Sequence, residues 1–251
     1  MADGKDRLEP SRRRLVLDTL GIAVSATGFG FVYGLAARSA GLSPLEVLAM
    51  SLLVFAGGAQ FAAIGYIQTG VAWPLIVLLT GFVNARHVLY ASVLAPYLAD
   101  QPRRMRAAMA HVLDDETFAL SMAHFRRIGR ADVTGYWIAG IGGTFVPWIA
   151  AGLLGATVAG DIPDPGRLGL DVIFPAAMAG LCLGLITGRA EVVGAIVGAL
   201  GGVGVGLVLS PAAGVVAAGI LGPSAGMLLK ENDQTKPEVS DPSEARGASR
   251  R

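Results

Sequence analysis

Residues 192 to 229 contain no Asp, Glu, Lys or Arg, and neither do 19 to 37, 47 to 85, 133 to 160 or 172 to 188. A helix needs about 20 apolar residues to cross a bilayer, and these runs approach or exceed that length. A soluble domain spreads charge over about a quarter of its positions. Here 16% of residues are charged and 53% are hydrophobic, with a mean hydropathy of +0.57. The pattern excludes a water-soluble globule. It predicts an all-α fold, a polytopic transmembrane helical bundle.

Candidate spans cover about 16 to 37, 72 to 97, 132 to 158, 168 to 187, 190 to 209 and 212 to 229, the last two separated at Ser210-Pro211 because proline interrupts a helix. One more apolar stretch, 43 to 69, either crosses or enters and returns. The distribution of basic residues decides, since cytoplasmic loops carry the excess of Lys and Arg. If 43 to 69 crosses, the N-terminal Lys5, Arg7, Arg12, Arg13 and Arg14 face away from Arg103, Arg104, Arg106, Arg126, Arg127 and Arg130. If it returns, both clusters share one side with Arg189 and the C-terminal basic residues, leaving Arg38 and Arg167 opposite and Arg86 in the membrane. The expectation is therefore about six spans plus a re-entrant broken helical hairpin, interrupted at Gly57-Gly58-Ala59-Gln60. Both termini are then cytoplasmic, and the chain is expected in the cell membrane. Residues 1-14 and 231-251 are charged and have little to bury, so they read as disordered cytoplasmic tails flanking a transport domain at 15-230. The apolar stretch after Arg12 to Arg14 is long enough to span and further spans follow, which favours a retained first helix over a cleaved signal.

Non-helical backbone at membrane depth survives only where protein or a wet cavity covers it, so a broken hairpin points to a site. The strongest polar feature is Asn84-Ala85-Arg86-His87, in the middle of the span 72 to 97. An arginine at that depth costs roughly 2.5 to 3.5 kcal/mol on insertion scales. Arg86 must meet a carboxylate, a backbone carbonyl or an anionic substrate, either as a structural ion pair or on a transport pathway. The candidate carboxylates are Asp171, Asp18, Glu46, Asp115 and Glu116. His87 titrates near neutrality when unperturbed, which fits proton coupling, and it is equally satisfied by a backbone carbonyl. Gln60, beside the expected break, either bonds a neighbouring helix or faces a substrate. Asp115 and Glu116, in the run His111-Val112-Leu113-Asp114-Asp115-Glu116, are candidates for a gate or an ion pair, as is Asp171. Met105, Met109, Val112 and Leu113 mark an amphipathic helix near the interface.

Glycines recur every fourth residue at Gly194, Gly198, Gly202 and Gly206, and small residues do so at Gly214, Ala218, Gly222 and Gly226 and at Ala26, Gly30 and Gly34. Such stripes let helices approach closely, within the bundle or against another subunit, so a homo-oligomer fits as well. The lone Cys182 allows no internal disulfide and no multi-cysteine metal site. The acids beside His111 lack zinc-ligand spacing. No cofactor, metal site, catalytic residue, nucleotide fingerprint or nucleic-acid partner is expected. The rival readings are a membrane-embedded enzyme using His87, His111, Asp115 and Glu116, and a purely structural membrane subunit.

Three ordered motifs carry a resemblance: Gly57-Gly58-Ala59-Gln60-Phe61-Ala62-Ala63, Asn84-Ala85-Arg86-His87-Val88-Leu89-Tyr90 and Leu94-Ala95-Pro96. With His111 to Leu120 and Gly169-Leu170-Asp171, they make the chain similar to the AzlC-like permeases, the large subunit of branched-chain amino acid exporters. The resemblance covers roughly residues 15 to 229. It implies a secondary, ion-coupled exporter of branched-chain or related small amino acids, working with a small multi-span AzlD-like membrane subunit. On that reading Gly57, Gly58, Gln60, Asn84, Arg86 and His87 form the substrate site.

The hairpin assignment fixes the side on which residues 98 to 131 lie. With Cys182 replaced, Asp100→Cys is expected to resist an impermeant thiol reagent added to intact cells and to react once the cytoplasm is opened. Labelling from outside would overturn the re-entrant assignment.

Overall fold

A computed structural model describes residues 8–160, 183, 186 and 188–234. The chain divides into two units, at Leu181 and Cys182. In the first, α1 (Leu8–Ser39) is followed by α2 (Pro44–Leu53), α3 (Gly57–Gln68), α4 (Trp73–Asn84), α5 (Arg86–Leu94), α6 (Arg103–His111), α7 (Asp115–Ile128) and α8 (Val133–Trp137). A π-helical stretch, Ile138–Phe145, then leads into α9 (Val146–Gly160). The second unit contains α10 (Arg189–Val208) and α11 (Pro211–Gln234). No strand occurs among the described residues.

Among the described residues, four helical segments are long and apolar enough to cross a membrane: Leu8–Ser39, Trp73–Leu94, Val133–Ala159 and Arg189–Val208. They correspond to four of the expected spans. Pro44–Leu53 and Ala213–Leu229 are shorter apolar helices. The expected span 168 to 187, apart from Leu183 and Ile186, and with it Asp171, lies outside the described residues. Two boundaries differ from the sequence reading. The first helix already begins at Leu8, because Ser11, Arg12 and Leu15 have partners inside the bundle, and α11 runs on to Gln234.

The stretch 43 to 69 is a pair of short helices, with the interruption at Val54, Phe55 and Ala56 rather than at the glycines. Its first half starts on a capping box: Ser43 Oγ accepts from the Glu46 amide while the Glu46 carboxylate accepts from the Ser43 amide. Phe55 takes φ 27°, a conformation in which a bulky side chain is strained. Its ring is buried edge-on against Phe145 at 4.8 Å, and that packing holds the strained turn. Gly57 and Gly58 then form the first turn of α3. They serve close approach, since a methyl at Gly57 would stand 2.9 Å from the Trp148 ring.

Helix α1 lies along α9 with almost no side chain between the backbones. A methyl at Gly30 would meet the Trp148 carbonyl oxygen at 2.8 Å, and at Gly34 and Gly155 it would overlap the carbonyls of Gly152 and Phe31. Beside this seam Tyr33 stacks on Trp148 at 5.5 Å, and Phe61 meets both rings edge-on. In the second unit Gly194, Gly198 and Gly202 face Gly222, Ala218 and Gly214 across α10 and α11. The glycine stripes are thus occupied within each unit.

Gly34→Leu should separate α1 from α9, because four extra carbons have no room against a backbone carbonyl. Overpacking of this kind costs about 1–3 kcal/mol, occasionally more. The expected readout is a clear fall in Tm of the detergent-solubilised protein, with Gly28→Leu, at an open position, leaving Tm nearly unchanged.

Candidate functional site

The helix carrying Arg86 is interrupted where the charge sits. Ala85 separates α4 from α5, and the local bonds tighten: the Ala85 amide donates to the Phe82 carbonyl at 3.2 Å and the Val88 amide to the Ala85 carbonyl at 3.0 Å. Arg86 opens α5 and leaves its guanidinium partly exposed. Nη2 lies 2.9 Å from Asp115 Oδ2, and the Tyr90 hydroxyl donates to Asp115 Oδ1. Arg86 and Tyr90 are four residues apart on one face of α5. Tyr90 also stacks on Phe118 of α7, with centroids 4.5 Å apart. A charge pair and a ring pair therefore dock the start of α7 onto α5.

The same end of the guanidinium also faces the broken hairpin. A methyl added at Gly58 would sit 3.3 Å from Arg86 Nη2. Helix α3 has no side-chain cap, and its first bonded amide is that of Gln60, on the Ala56 carbonyl at 2.8 Å. The preceding amides lie at the positive end of the helix dipole. Two positive features thus converge with one carboxylate, Asp115, to balance them. Arg86 Nε and Asn84 Oδ1 are buried without a hydrogen-bond partner.

Of the residues singled out in the sequence, the fold brings Gly58, Arg86 and Asp115 together. Asn84 is on the adjoining turn. His87 bends back on its own helix, Nδ1 donating to the Asn84 carbonyl at 3.0 Å. Gln60 is fully buried and points elsewhere: Nε2 donates to Ser51 Oγ at 3.2 Å, bridging the two halves of the hairpin. His111 packs on Phe145, 5.9 Å between centroids. Glu46 serves its capping box, and Asp18 is exposed and in no ion pair among the described residues.

Helix α7 starts on Asp114, whose side chain accepts from the Thr117 amide at 2.7 Å. Burial pushes the Asp114 carboxyl up. Glu116 reaches the surface at its outer edge. Crowding by surrounding protein, then the like charge of Asp114, nevertheless push its carboxyl up to about 7. Among the described residues no group of three or more His, Cys, Asp or Glu side chains could hold a metal ion.

A second polar centre went unread in the sequence. Arg12 Nε and Nη2 both donate to Asp132, each at 2.7 Å. His124 Nε2 lies 2.9 Å from Asp132 Oδ2 and Nδ1 lies 2.9 Å from Ser11 Oγ, while Arg127 Nε donates to Ser11 Oγ at 3.1 Å. His124 is fully buried. A neutral imidazole satisfies the set: Nε2–H donates to Asp132, and Nδ1 accepts from Ser11. The sequence signal was Asp132 immediately ahead of an uncharged run, which had to be neutralised from another segment.

An all-helical chain with a guanidinium and a broken hairpin set among apolar helices is an integral membrane protein. Residues 21–162 match the family model described as AzlC protein, and the chain belongs to that family. The inner membrane protein YgaZ of Escherichia coli (strain K12) is 30% identical over 141 residues, 55% of this chain and 57% of that protein. An uncharacterized membrane protein of Archaeoglobus fulgidus is 33% identical over 126 residues, 49% and 55% of the two chains. One from Helicobacter pylori (strain 26695) is 31% identical over 102 residues, 41% and 44%. The chain spans about half the length of the curated relatives it matches. No solved structure matches.

The Arg12 guanidinium, more than any other contact, holds the Asp132 carboxyl well below its ordinary value of 3.8, with His124 adding to it. A depressed carboxyl contributes stability above the unfolded value and loses it as pH falls toward the folded one. Asp132→Asn should therefore lower Tm at pH 7, where the carboxylate is ionised and bonded to Arg12 and His124. The gap between variant and wild type should narrow as pH drops below 4. Equal Tm values at pH 7 would remove the structural role assigned to this pair.

Proposed function

We propose that this chain is a secondary transporter exporting branched-chain or related small amino acids from the bacterial cytoplasm, with Arg86 as the group that receives the substrate carboxylate. The single observation that carries the reading is the position of the Arg86 guanidinium. It stands in an apolar span, partly accessible, beside Gly58 at the uncapped start of α3. A carboxylate entering between them meets a planar fork of donors and a helix N-terminus, both suited to an anion.

In this arrangement Asp115 occupies the anion's place, and the Arg86–Asp115 pair is an exchangeable one. Substrate binding releases Asp115 with α7, and departure restores the pair. The ammonium of the substrate meets Asp115 or the free Asn84 Oδ1, and the aliphatic side chain meets the surrounding apolar residues. Glu116, with a carboxyl titrating near 7 beside Asp115, is the group suited to exchange a proton with the cytoplasm, which favours proton coupling over ATP. Family membership supports a small AzlD-like membrane subunit as partner, and the uncharged runs with the distribution of Lys and Arg support six spans and cytoplasmic termini. The hydrogen bonds of Gln60 and His87 within the protein favour positioning roles for both.

Export from dipeptide-loaded cells, with and without this chain and its small partner, tests the reading. Chain-dependent release of an aliphatic amino acid is expected, larger when the imposed pH gradient favours proton entry. Arg86→Ala should abolish it, and Arg86→Lys should restore only part, because an ammonium lacks the fork. Wild-type export by correctly inserted Arg86→Ala would defeat the site. Absence of any chain-dependent release would defeat the function.

A further inference from the structure

We propose that the groove between the end of α5 and α6 is a binding site for an anionic phospholipid, with the acyl chain along its floor and the phosphate between Arg103 and Arg106. The groove encloses about 350 Å³. Leu98 and Met109, both buried, form part of its floor, and the exposed Ala91 and Ala95 leave one wall low. It begins at the end of the apolar segment Trp73–Leu94, and the end of a span is the part that meets the headgroup region.

Three observations select an amphipathic anion over a purely apolar occupant. Arg103 and Arg106 both line the groove and lie three residues apart, on one face of α6. Neither takes part in an ion pair among the described residues, so their charge is left for a ligand to balance. The two arginines share the groove with a long apolar surface, which a free inorganic anion would leave empty.

The groove is also built rather than incidental. The buried Tyr136 hydroxyl donates to the Met109 carbonyl at 2.7 Å, fixing the C-terminal half of α6 against the bundle. By contrast, the open groove beside Arg13 and Arg14 carries its own carboxylate, Glu9. Basic pockets beside membrane spans hold lipid headgroups through such unpaired cations, at about 1 kcal/mol for each Lys or Arg near the surface. That corresponds to roughly a fivefold change in affinity per arginine.

The test uses the full chain purified in a neutral maltoside detergent. Dioleoyl phosphatidylglycerol or dioleoyl phosphatidylcholine is titrated in, and retained lipid is counted by native mass spectrometry. The expected result is preferential retention of phosphatidylglycerol by the wild type. Arg103→Gln with Arg106→Gln should weaken it roughly 25-fold. Ala95→Trp, which fills the trough and keeps both arginines, should weaken it as well, while Arg13→Gln with Arg14→Gln should leave it unchanged. Equal retention of the two lipids would overturn the proposal. So would undiminished retention by the double arginine variant, or by a folded Ala95→Trp protein. Full displacement by millimolar inorganic phosphate would mean a simple anion site. A wild-type dimer that Ala95→Trp dissociates would mean that a second copy occupies the groove. Either outcome also overturns the lipid assignment.

Discussion

A guanidinium held among apolar helices has to find its counter-charge inside the protein, and the first unit is organised around that requirement. The 2.9 Å contact between Arg86 and Asp115 brings the polar start of α7 against the middle of an apolar span. From there the stacking of Tyr90 on Phe118, the cap on Asp114 and the burial of Met109, Val112 and Leu113 follow as one packed corner. The same Nη2 also lies against Gly58, where an added methyl would sit a tight 3.3 Å away. Apolar packing alone would leave α5 free to turn about its axis. The charge fixes which face looks inward.

The hairpin shows how irregular backbone is tolerated at such depth. The Val54 amide still donates to the Met50 carbonyl and the Ala56 carbonyl accepts from Gln60, and any peptide group left unpaired between them would cost several kcal/mol if presented to lipid. The break is covered by the aromatic layer of Phe55 and Phe145, and by the buried link from Gln60 to Ser51 that ties its two halves. The π-helical turn from Ile138 to Phe145 lies directly before α9 and sets the direction in which Phe145 leaves the helix. Such π turns occur often at functional sites. Here one supplies the ring that buttresses the interruption.

Much of this was legible in the sequence because insertion into lipid is so restrictive. Uncharged runs located four helices that the structure contains, and an arginine inside one of them marked the candidate site without any alignment. The break was misplaced by a few residues for a physical reason. Glycines were read as the flexible point, whereas they serve close packing against Trp148 and Arg86, and a phenylalanine takes the strained backbone instead. Gln60 was open to two readings, a bond to a neighbouring helix or a substrate contact, because polarity in an apolar run shows only that a partner exists; the fold contains its bond to Ser51. The centre of Ser11, Arg12, His124, Arg127 and Asp132 was invisible because its members come from segments more than a hundred residues apart, and each looks like ordinary interfacial charge.

That last centre sets an order of events during synthesis. Its donors and acceptors run in one sense, from Arg127 through Ser11 and His124 to Asp132, with Arg12 closing the far end. Arg12 and Ser11 emerge from the ribosome with the first helix, yet their partners follow 113 to 120 residues later. The first span therefore enters the bilayer with its cationic end unfastened. The seam between α1 and α9 comes later still, since its far side begins only at Val146. The knot acts as a clasp: it ties the N-terminal end of α1 to the stretch from His124 to Asp132 across 113 to 120 residues of chain, so everything threaded between them is held as one closed loop.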